Sequence, residues 1–209
     1  MIYQALKLII SELNTYMDSL TEASDDLVLL GNIGMIESKM EAGGGGGGGA
    51  APLEDKILLT LVNIQEENTL KNLPAQRLDT FAKQTEYKNP AINLNLYILF
   101  SVTSNNYQNA LLYLSRIISF FQGKRIFTNQ NTPVPSATPS IEDMDNFKLI
   151  LDLYSPNFEE TNYLWGTLGG KQFPSVLYKV RLVEIERESL IKESRGVIKT
   201  IKTEASGIQ

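Results

Sequence analysis

The sequence predicts an α+β fold in which three amphipathic helices pack against one sheet. In three segments the apolar residues recur three or four positions apart, which is the spacing of one face of a helix. In several others they alternate with polar residues, which is the spacing of a strand with one buried face. The segments follow in the order helix, strands, helix, strand, helix, strand, without an internal repeat. A chain of 209 residues that is 43% hydrophobic is long enough to bury one such core.

The first two helical segments are long. The first covers about the first twenty residues, and the second lies in NNYQNALLYLSRIISFFQGK. Asn105 or Asn106 is placed to cap the start of the second helix, and Gly123 can end it in a left-handed conformation. The residues predicted to face inward are Ile2, Leu6, Ile9, Leu13, Tyr16 or Met17 and Leu20 in the first helix, and Tyr107, Leu111, Leu114, Ile118 and Phe121 in the second.

The third helical segment is short and lies in SPNFEETNYLWGTLGG. Asn157 at its start and Glu160 three positions later have the spacing of a capping box, and Gly169 is placed to stop the helix. The single Trp of the chain lies in this segment, and we interpret it as a core residue rather than a platform for a ligand. The residues predicted to face inward are Phe158, Leu164, Trp165 and Leu168.

Five apolar segments have the length and pattern of strands. DDLVLLGNIGMIE predicts a short strand broken by Gly31 and Gly34, and DKILLTLVNIQEE predicts a longer one. NPAINLNLYILFSV and NFKLILDLY alternate, and SVLYKVRLVEIE predicts the last strand of the body. The residues predicted to face inward in the two alternating strands are Leu94, Leu96, Ile98, Phe100 and Val102, followed by Phe147, Leu149, Leu151 and Leu153.

The chain divides into a body, residues 1–186, and a C-terminal arm, residues 187–209. Within the body, seven consecutive glycines occupy positions 43–49. Ordering such a run costs more backbone entropy than ordering any other sequence and gains no side-chain contact, so we predict a flexible surface loop over 42–52. A second loop, rich in Pro, Ser, Thr and Asn, is predicted over 128–140.

The composition excludes several classes of function. A net charge of −5 and an isoelectric point near 4.9 argue against a nucleic-acid binder. The absence of Cys and His excludes disulfides, thiolate nucleophiles, thiolate zinc sites and imidazole bases. Neighbouring carboxylates do not face one another on a helix or strand. We therefore predict solvated charge, with no catalytic residues, metal or cofactor, at the three acidic pairs Asp25–Asp26, Glu66–Glu67 and Glu159–Glu160.

The N-terminal segment does not have the features of a secretion signal. MIYQALKLIISELNTYM lacks a basic start and a small-residue cleavage site. No apolar run approaches the roughly 20 residues that span a bilayer. We therefore predict that the protein is made in the cytoplasm, does not insert directly into a membrane, and leaves the cell, if it does, by another route.

A Gly-Gly-Lys sequence raises the question of a phosphate-binding loop. The P-loop pattern G-x-x-x-x-G-K-[ST] would need a glycine where Trp165 stands and a Ser or Thr where Gln172 follows Gly170-Lys171. Pro174 also disfavours a helix directly after the lysine. The segment follows a helix and precedes a strand, which is the reverse of the required order. We therefore predict a helix stop, and a nucleotide-binding enzyme stays an alternative that rests on this dipeptide alone.

Four stretches of the body carry a family resemblance. They are MIYQALKLIISELNTYM, ILLTLVNIQEENTLKN, NLNLYILFSVTSNNYQNALLYLSRIISFFQGKRIFTNQN and YLWGTLGGKQFPSVLYKVRLVEIE. Together, in this order, they resemble the cap, or tube-terminator, proteins of phage-tail-like contractile injection systems of the antifeeding-prophage type. The resemblance covers most of residues 1–186, which makes it more specific than any short motif.

The resemblance implies a fold and a role. The fold is an α+β body with a mixed sheet, like that of phage tail terminators. The role is that of a hexameric ring, seated on the distal end of the inner tube and sheath, which ends polymerisation and fixes the length of the particle. The partners would be further copies of the chain and the tube and sheath proteins, in a particle that can be released from the cell. The resemblance implies no catalytic residues.

The C-terminal arm begins with a charged, helix-compatible stretch, RESLIKESRG, and continues into a β-branched segment, VIKTIKT. An isolated strand of this length is not stable. Our hypothesis is that the arm adds a strand to a neighbouring protein, the last sheath ring being the first choice, while a disordered terminus is the alternative. The residues predicted to bind the partner are Val197, Ile198, Lys199, Thr200, Ile201, Lys202 and Thr203.

Two further functions stay open at this stage. One is a baseplate or cargo adaptor of the same particle, which would also act through protein contacts. The other is the small-molecule enzyme or nucleotide binder already mentioned. The first interpretation is a non-enzymatic structural cap.

Overall fold

The structure is a computed structural model, and it describes residues 2–20, 26–36, 55–67, 76–79, 84–87, 92–132, 147–185 and 192–194. The predicted loop over 42–52 and the seven predicted partner-binding residues of the arm lie outside the described residues, and so do residues 133–140 of the second loop.

The described residues form three α-helices, one short 3-10 helix and nine strands. The helices are α1 (Ile2–Leu20), α2 (Tyr107–Gly123) and α3 (Phe158–Thr167), and the 3-10 helix is Ile33–Met35. The strands are β1 (Val28–Leu30), β2 (Ile57–Glu66), β3 (Gln76–Asp79), β4 (Gln84–Tyr87), β5 (Ile92–Val102), β6 (Ile126–Thr128), β7 (Lys148–Tyr154), β8 (Ser175–Ile185) and β9 (Lys192–Ser194).

Six strands form the main sheet, in the order β1-β2-β5-β8-β7-β6. β1 runs parallel to β2, and the other neighbours are antiparallel, so the sheet is mixed, as the sequence and its family resemblance predict. The pairing has two irregularities: β2 has one residue more than β5 between Leu61 and Asn63, and β8 has one residue more than β5 opposite Leu94–Leu96. Such bulges increase local twist.

One face of the sheet, called the inner face here, is covered by α1 and α2. The side-chain amide of Asn14 on α1 accepts a hydrogen bond from Val28 N (2.8 Å) and donates one to Val28 O (3.0 Å), which ties the helix to β1. The predicted inward residues of α1 are confirmed except Leu20, which is exposed at the end of the helix. The buried residues of this core include Leu6, Ile9, Leu13, Met17, Leu96, Ile98, Phe100, Val102, Phe121, Leu149, Leu151, Tyr178 and Val180.

The predicted inward side of α2 is partly wrong. Asn106 caps the helix as expected, and Phe121 is buried, but Tyr107, Leu111 and Ile118 are exposed. This helix is apolar on most sides, so two stripes fit the helical spacing, and the sheet buries the neighbouring one. Its buried members are Ala110, Ile117 and Phe121, with Tyr113, Leu114 and Phe120 packed beside them.

The end of α2 also differs from expectation. Gly123 is not left-handed, and the helix ends because Lys124 adopts an extended conformation, with φ −130° and ψ 91°. The backbone N–H of Lys124 still donates to Phe120 O at 2.9 Å. Its side chain forms an ion pair with Glu12 of α1, which joins the two helices of the inner face.

The opposite, outer face is covered in part by α3 and the 3-10 helix. Trp165 is 5% exposed and packs in this second cluster, which confirms its predicted place in a core. Leu164 and Leu168 are half-buried against it. Two predictions of inward residues are wrong: Phe158, at the first position of α3, is 97% exposed, and Leu153, near the end of β7, is 53% exposed.

A second sheet, which the sequence did not predict, has the order β3-β4-β9. Lys192–Ser194 pairs antiparallel with Thr85–Tyr87. These three residues are therefore in a strand, and the helix-compatible interpretation of the stretch around them is wrong at this point. β9 belongs to the predicted arm, but its strand partner belongs to the same chain.

Candidate docking surfaces

The Gly-Gly-Lys segment is the end of α3. The capping box at the start of the helix is confirmed, because Glu160 N donates to the Asn157 side chain at 2.8 Å and Asn157 N donates to the Glu160 carboxylate at 3.0 Å. At the other end, Gly169 and Gly170 have φ values of +109° and +81°, a conformation that side chains disfavour. Gly170 N donates to Trp165 O at 2.7 Å. The segment is a helix stop before β8, as predicted.

The described residues show few features of a metal site or a catalytic site. They contain no group of three or more Asp or Glu side chains placed to hold a metal ion. The clearest perturbed titration is that of Tyr178, whose pKa burial raises to about 12. That side chain packs against Phe100 and Phe121, with ring centroids 6.0 and 4.8 Å away, so the shift belongs to the core.

A neutral groove opens between α2 and α3 at the end of β7. Its volume is about 580 Å³, and no charged residue lines it. Ile118 and Tyr107 of α2 line one side, the latter 66% exposed, and Trp165 lines the other. Leu153 lies between them. A neutral surface of mixed polar and apolar residues is less suited to a charged metabolite than to contact with a protein.

The part of the outer face that α3 and the 3-10 helix leave open, among the described residues, is basic. The alternation of β7 and β8 points Lys148, Asp152, Lys179 and Arg181 away from the inner core. Arg125, just before β6, reaches the same face and pairs with the Asp152 carboxylate at 2.5 Å, while Arg181 lies 3.4 Å from its other oxygen. We call these five side chains the basic platform.

The platform continues across the sheet through aromatic and amide groups. The Lys179 ammonium lies 5.7 Å from the centre of the Tyr97 ring, and that ring packs edge-on against Tyr154 at 5.2 Å. The Tyr97 hydroxyl donates to the side chain of Gln65 on β2 at 3.0 Å. These contacts hold Lys179 in one place beside Asp152, its direct cross-strand neighbour.

A side-chain amide occupies the β6 edge of the main sheet, and another binds the backbone of β2. At β6, the Asn131 amide accepts from Thr128 N and donates to Ile126 O, both at 2.9 Å, so it takes the place of a further strand. At β2, the Asn63 side chain accepts from Ile64 N at 2.8 Å beside the bulge. Bulges and occupied backbone groups are ways in which proteins prevent sheet edges from pairing with other chains.

Sequence reasoning missed the basic platform, although part of the signal was present. The alternating patterns KLILDLY and LYKVRL place the charged residues on the polar side of two strands. Which strands are neighbours, and that Arg125 reaches Asp152, depends on the topology. The partner-binding residues predicted in the arm, 197–203, lie beyond the last described residue, so their role stays a prediction.

Comparison with known proteins gives the family. The family model described as the Pvc16 N-terminal domain matches residues 5–198. The search of curated proteins gave no match. Among the described residues, no helix has the length and apolar character needed to cross a membrane.

Two solved structures align with the chain. A cryo-EM structure of the sheath/tube terminator of an extracellular contractile injection system, PVC, in the extended state has a TM-score of 0.51 and 13% identity, over 95% of this chain and 64% of that one. The tube-terminating cap of the anti-feeding prophage has a TM-score of 0.49 and 16% identity, over 72% of this chain and 49% of that one. The chain thus spans between half and two thirds of their length. With a family match over nearly all of its residues, the chain belongs to the Pvc16 N-terminal domain family.

Proposed function

We propose that this protein is a non-enzymatic structural cap that ends the inner tube and sheath at the distal end of a contractile injection particle. The observation that carries the proposal is the family match over residues 5–198. It is supported by a fold like that of a sheath/tube terminator over 95% of the chain. A terminator acts through shape and contact surfaces, and the features described above are surfaces of this kind.

The physical requirement for a cap follows from how a tube grows. A tube is a stack of rings joined by heterologous interfaces, and such interfaces extend without limit unless a last component binds and offers no further site. The protein would therefore be a ring of identical copies with one surface for the particle and one for its neighbours. Six copies is the number that the family resemblance suggests, and the symmetry of particle ends in electron micrographs would test it.

A deletion strain tests the function directly. We expect particles without this protein to have variable lengths or missing distal ends when imaged by electron microscopy, and we expect the wild-type gene to restore uniform length. Particles of normal length that lack a baseplate or cargo would instead support the adaptor. Particles that are complete and uniform would contradict both roles.

We also propose that the segment Val197–Thr203 binds a neighbouring protein of the particle by adding a strand, the last sheath ring being the expected partner. The support is its β-branched composition, which fits an added strand and is too short to be stable alone. A chain ending after Ser194 keeps β9 and removes this segment. We expect the truncated protein to fold, with an unchanged melting temperature, and to lose attachment to sheathed tubes. Undiminished attachment would contradict the proposed arm.

The particle would act outside the cell that makes it. This part of the proposal rests on the family resemblance and is supported by a fold shared with a terminator of an extracellular contractile injection system. Detection of the protein by antibody in purified extracellular particles, and at one end of each, would test it.

A further inference from the structure

The basic platform surrounds an accessible apolar pair. Ile126 of β6 and Ile150 of β7 are cross-strand neighbours, and Ile150 is also opposite Arg181 of β8. Ile126 is 45% exposed, and Ile150 is half-buried. Lys148 and Asp152 lie on either side of Ile150 along β7, on the same face, because side chains two positions apart share a face of a strand. An apolar centre with a charged rim is the arrangement of a protein–protein interface.

The platform has an excess of positive charge. It contains four cations and one carboxylate, a net of +3. Asp152 pairs with Arg125 and Arg181, whereas Lys148 and Lys179 form no ion pair within the part of the chain that the structure describes. The contact of Lys179 with the Tyr97 ring leaves the ammonium charge unchanged. The excess is therefore available to carboxylates of a partner.

The cations of the platform are held in position by the sheet. The backbone N–H of Leu151 donates to Arg125 O at 2.9 Å, which fixes the residue that precedes β6. The Arg125 guanidinium is then held by Asp152, and Asp152 lies directly opposite Lys179. Side chains that are already ordered lose less conformational entropy when they bind a partner. The platform is therefore pre-organised for docking.

We propose that this protein docks through the basic platform on an acidic protein surface at the end of the sheathed tube. The inference rests on the proposed function as a cap, and it names the face that makes the contact. The partner presents carboxylates to the cations and an apolar group to Ile126 and Ile150. Complementary charge across an interface speeds the encounter and disfavours wrong partners. A component that must find one end of a long particle needs both properties.

The chemistry of the platform favours a protein over a nucleic acid. The chain has a net charge of −5, so a platform of +3 leaves −8 for the rest of the molecule, which would repel a phosphate backbone. The platform also holds a carboxylate, Asp152, between two guanidinium groups, and the apolar pair Ile126 and Ile150 beside it. A regular row of phosphates gains nothing from these groups, whereas a protein surface can match each of them.

Attachment of the full chain to particles that lack it tests the charged part of the contact. Sheathed tubes purified from the deletion strain are sedimented with increasing amounts of protein, which gives a Kd. The platform variant carries Lys148→Gln and Arg181→Gln. We expect its Kd to rise about fivefold or more at low salt, and wild-type attachment to weaken as salt is raised. The matched control is Lys7→Glu on α1, which also changes the net charge by −2 and should attach like the wild type.

A second pair of variants tests the apolar centre. Ile126→Thr and Ile64→Thr each change an isoleucine that is 45% exposed on a strand, and threonine keeps the branched side chain that strands favour. We expect Ile126→Thr to raise the Kd about threefold without changing its salt dependence, and Ile64→Thr to leave it unchanged. The arm is intact in every variant, so its contribution to attachment is constant. All variants should melt at temperatures close to that of the wild type.

Several outcomes would overturn the inference. Equal Kd values for the wild type and the platform variant would do so and leave the cap role in place, because the wild type still attaches. A wild type that does not attach to the tubes would contradict the cap role and, with it, the inference. A platform variant that attaches normally but loses binding to a DNA duplex would assign the platform to nucleic acid. One that attaches normally but loses self-association in sedimentation velocity would assign it to a second copy.

Discussion

In the described part of the chain, the inner face of the six-stranded sheet is covered by two long helices, whereas a short α-helix and a 3-10 helix cover only part of the outer face. The inner face has a continuous aromatic and aliphatic core in which Phe100, Phe121 and Tyr178 touch. The outer face divides into a small apolar cluster around Trp165 and a basic platform. One face therefore supplies most of the stability, and the other supplies surface for contacts. Each prediction below compares matched residues on these two faces.

The largest difference is expected between two phenylalanines. Phe121→Ala empties part of the inner core, where this side chain is 1% exposed, and should lower the free energy of unfolding by about 3–5 kcal/mol. Phe158→Ala removes a ring that is almost fully exposed and should change it by less than about 0.5 kcal/mol. Urea unfolding of both variants measures the difference. Equal losses would show that Phe158 is buried in the protein as purified.

The second comparison concerns two tyrosines at high pH. In the unfolded chain Tyr178 ionises near the ordinary tyrosine pKa of about 10, whereas burial raises its pKa to about 12 in the folded chain. Between these values the unfolded state releases the proton first, so stability falls as pH rises, by up to about 2–3 kcal/mol over two pH units. Tyr178→Phe should remove this fall, and Tyr163→Phe, on the exposed side of α3, should not. Measuring the free energy of unfolding of the wild type and both variants from pH 9 to 12 tests this prediction.

The smallest effect is expected at the helix caps. Asn157→Ala loses the acceptor for Glu160 N and disturbs the reciprocal bond, while Asn106→Ala loses a single bond to Gln108 N at 3.0 Å. Each substitution should lower the free energy of unfolding by about 1 kcal/mol, and the loss should be larger for Asn157→Ala. Because α3 lies on the thinly covered outer face, hydrogen exchange should also rise there first. A larger loss for Asn106 would contradict the comparison.

What the sequence predicted correctly was mostly local or strongly periodic. The capping box of α3 joins residues three positions apart, and the inward face of β5 follows simple alternation. The side of α2 that is buried was not decided by its pattern, because exposed Leu111 and buried Ile117 belong to stripes of similar apolar content. The way in which α2 packs on the sheet determines which of the two stripes is buried.

The remaining errors depend on how the elements are assembled. Leu153 continues the inward alternation of Leu149 and Leu151, but it lines the open groove at the end of β7, and nothing near it in the chain predicts this. The second sheet joins Thr85–Tyr87 to residues more than a hundred positions later, without a local signal for the pairing. The basic platform required the same information, since its charges come from β7, β8 and Arg125, just before β6. Local sequence patterns therefore predicted the helices and strands, whereas the pairing of the strands determined which residues share a surface.

The amide of Asn131 has a consequence for the ageing of the protein. This one side chain accepts from Thr128 N and donates to Ile126 O, and an ionised carboxylate in its place could accept but not donate. Hydrolysis of Asn131 to aspartate would keep the acceptor but put a carboxylate oxygen against the carbonyl oxygen of Ile126. The edge of β6 would then lose the side chain that now occupies its backbone groups. In stored preparations, protein molecules should then associate through the exposed edge of β6. No peptide bond would be broken, and the mass would change by only about one dalton.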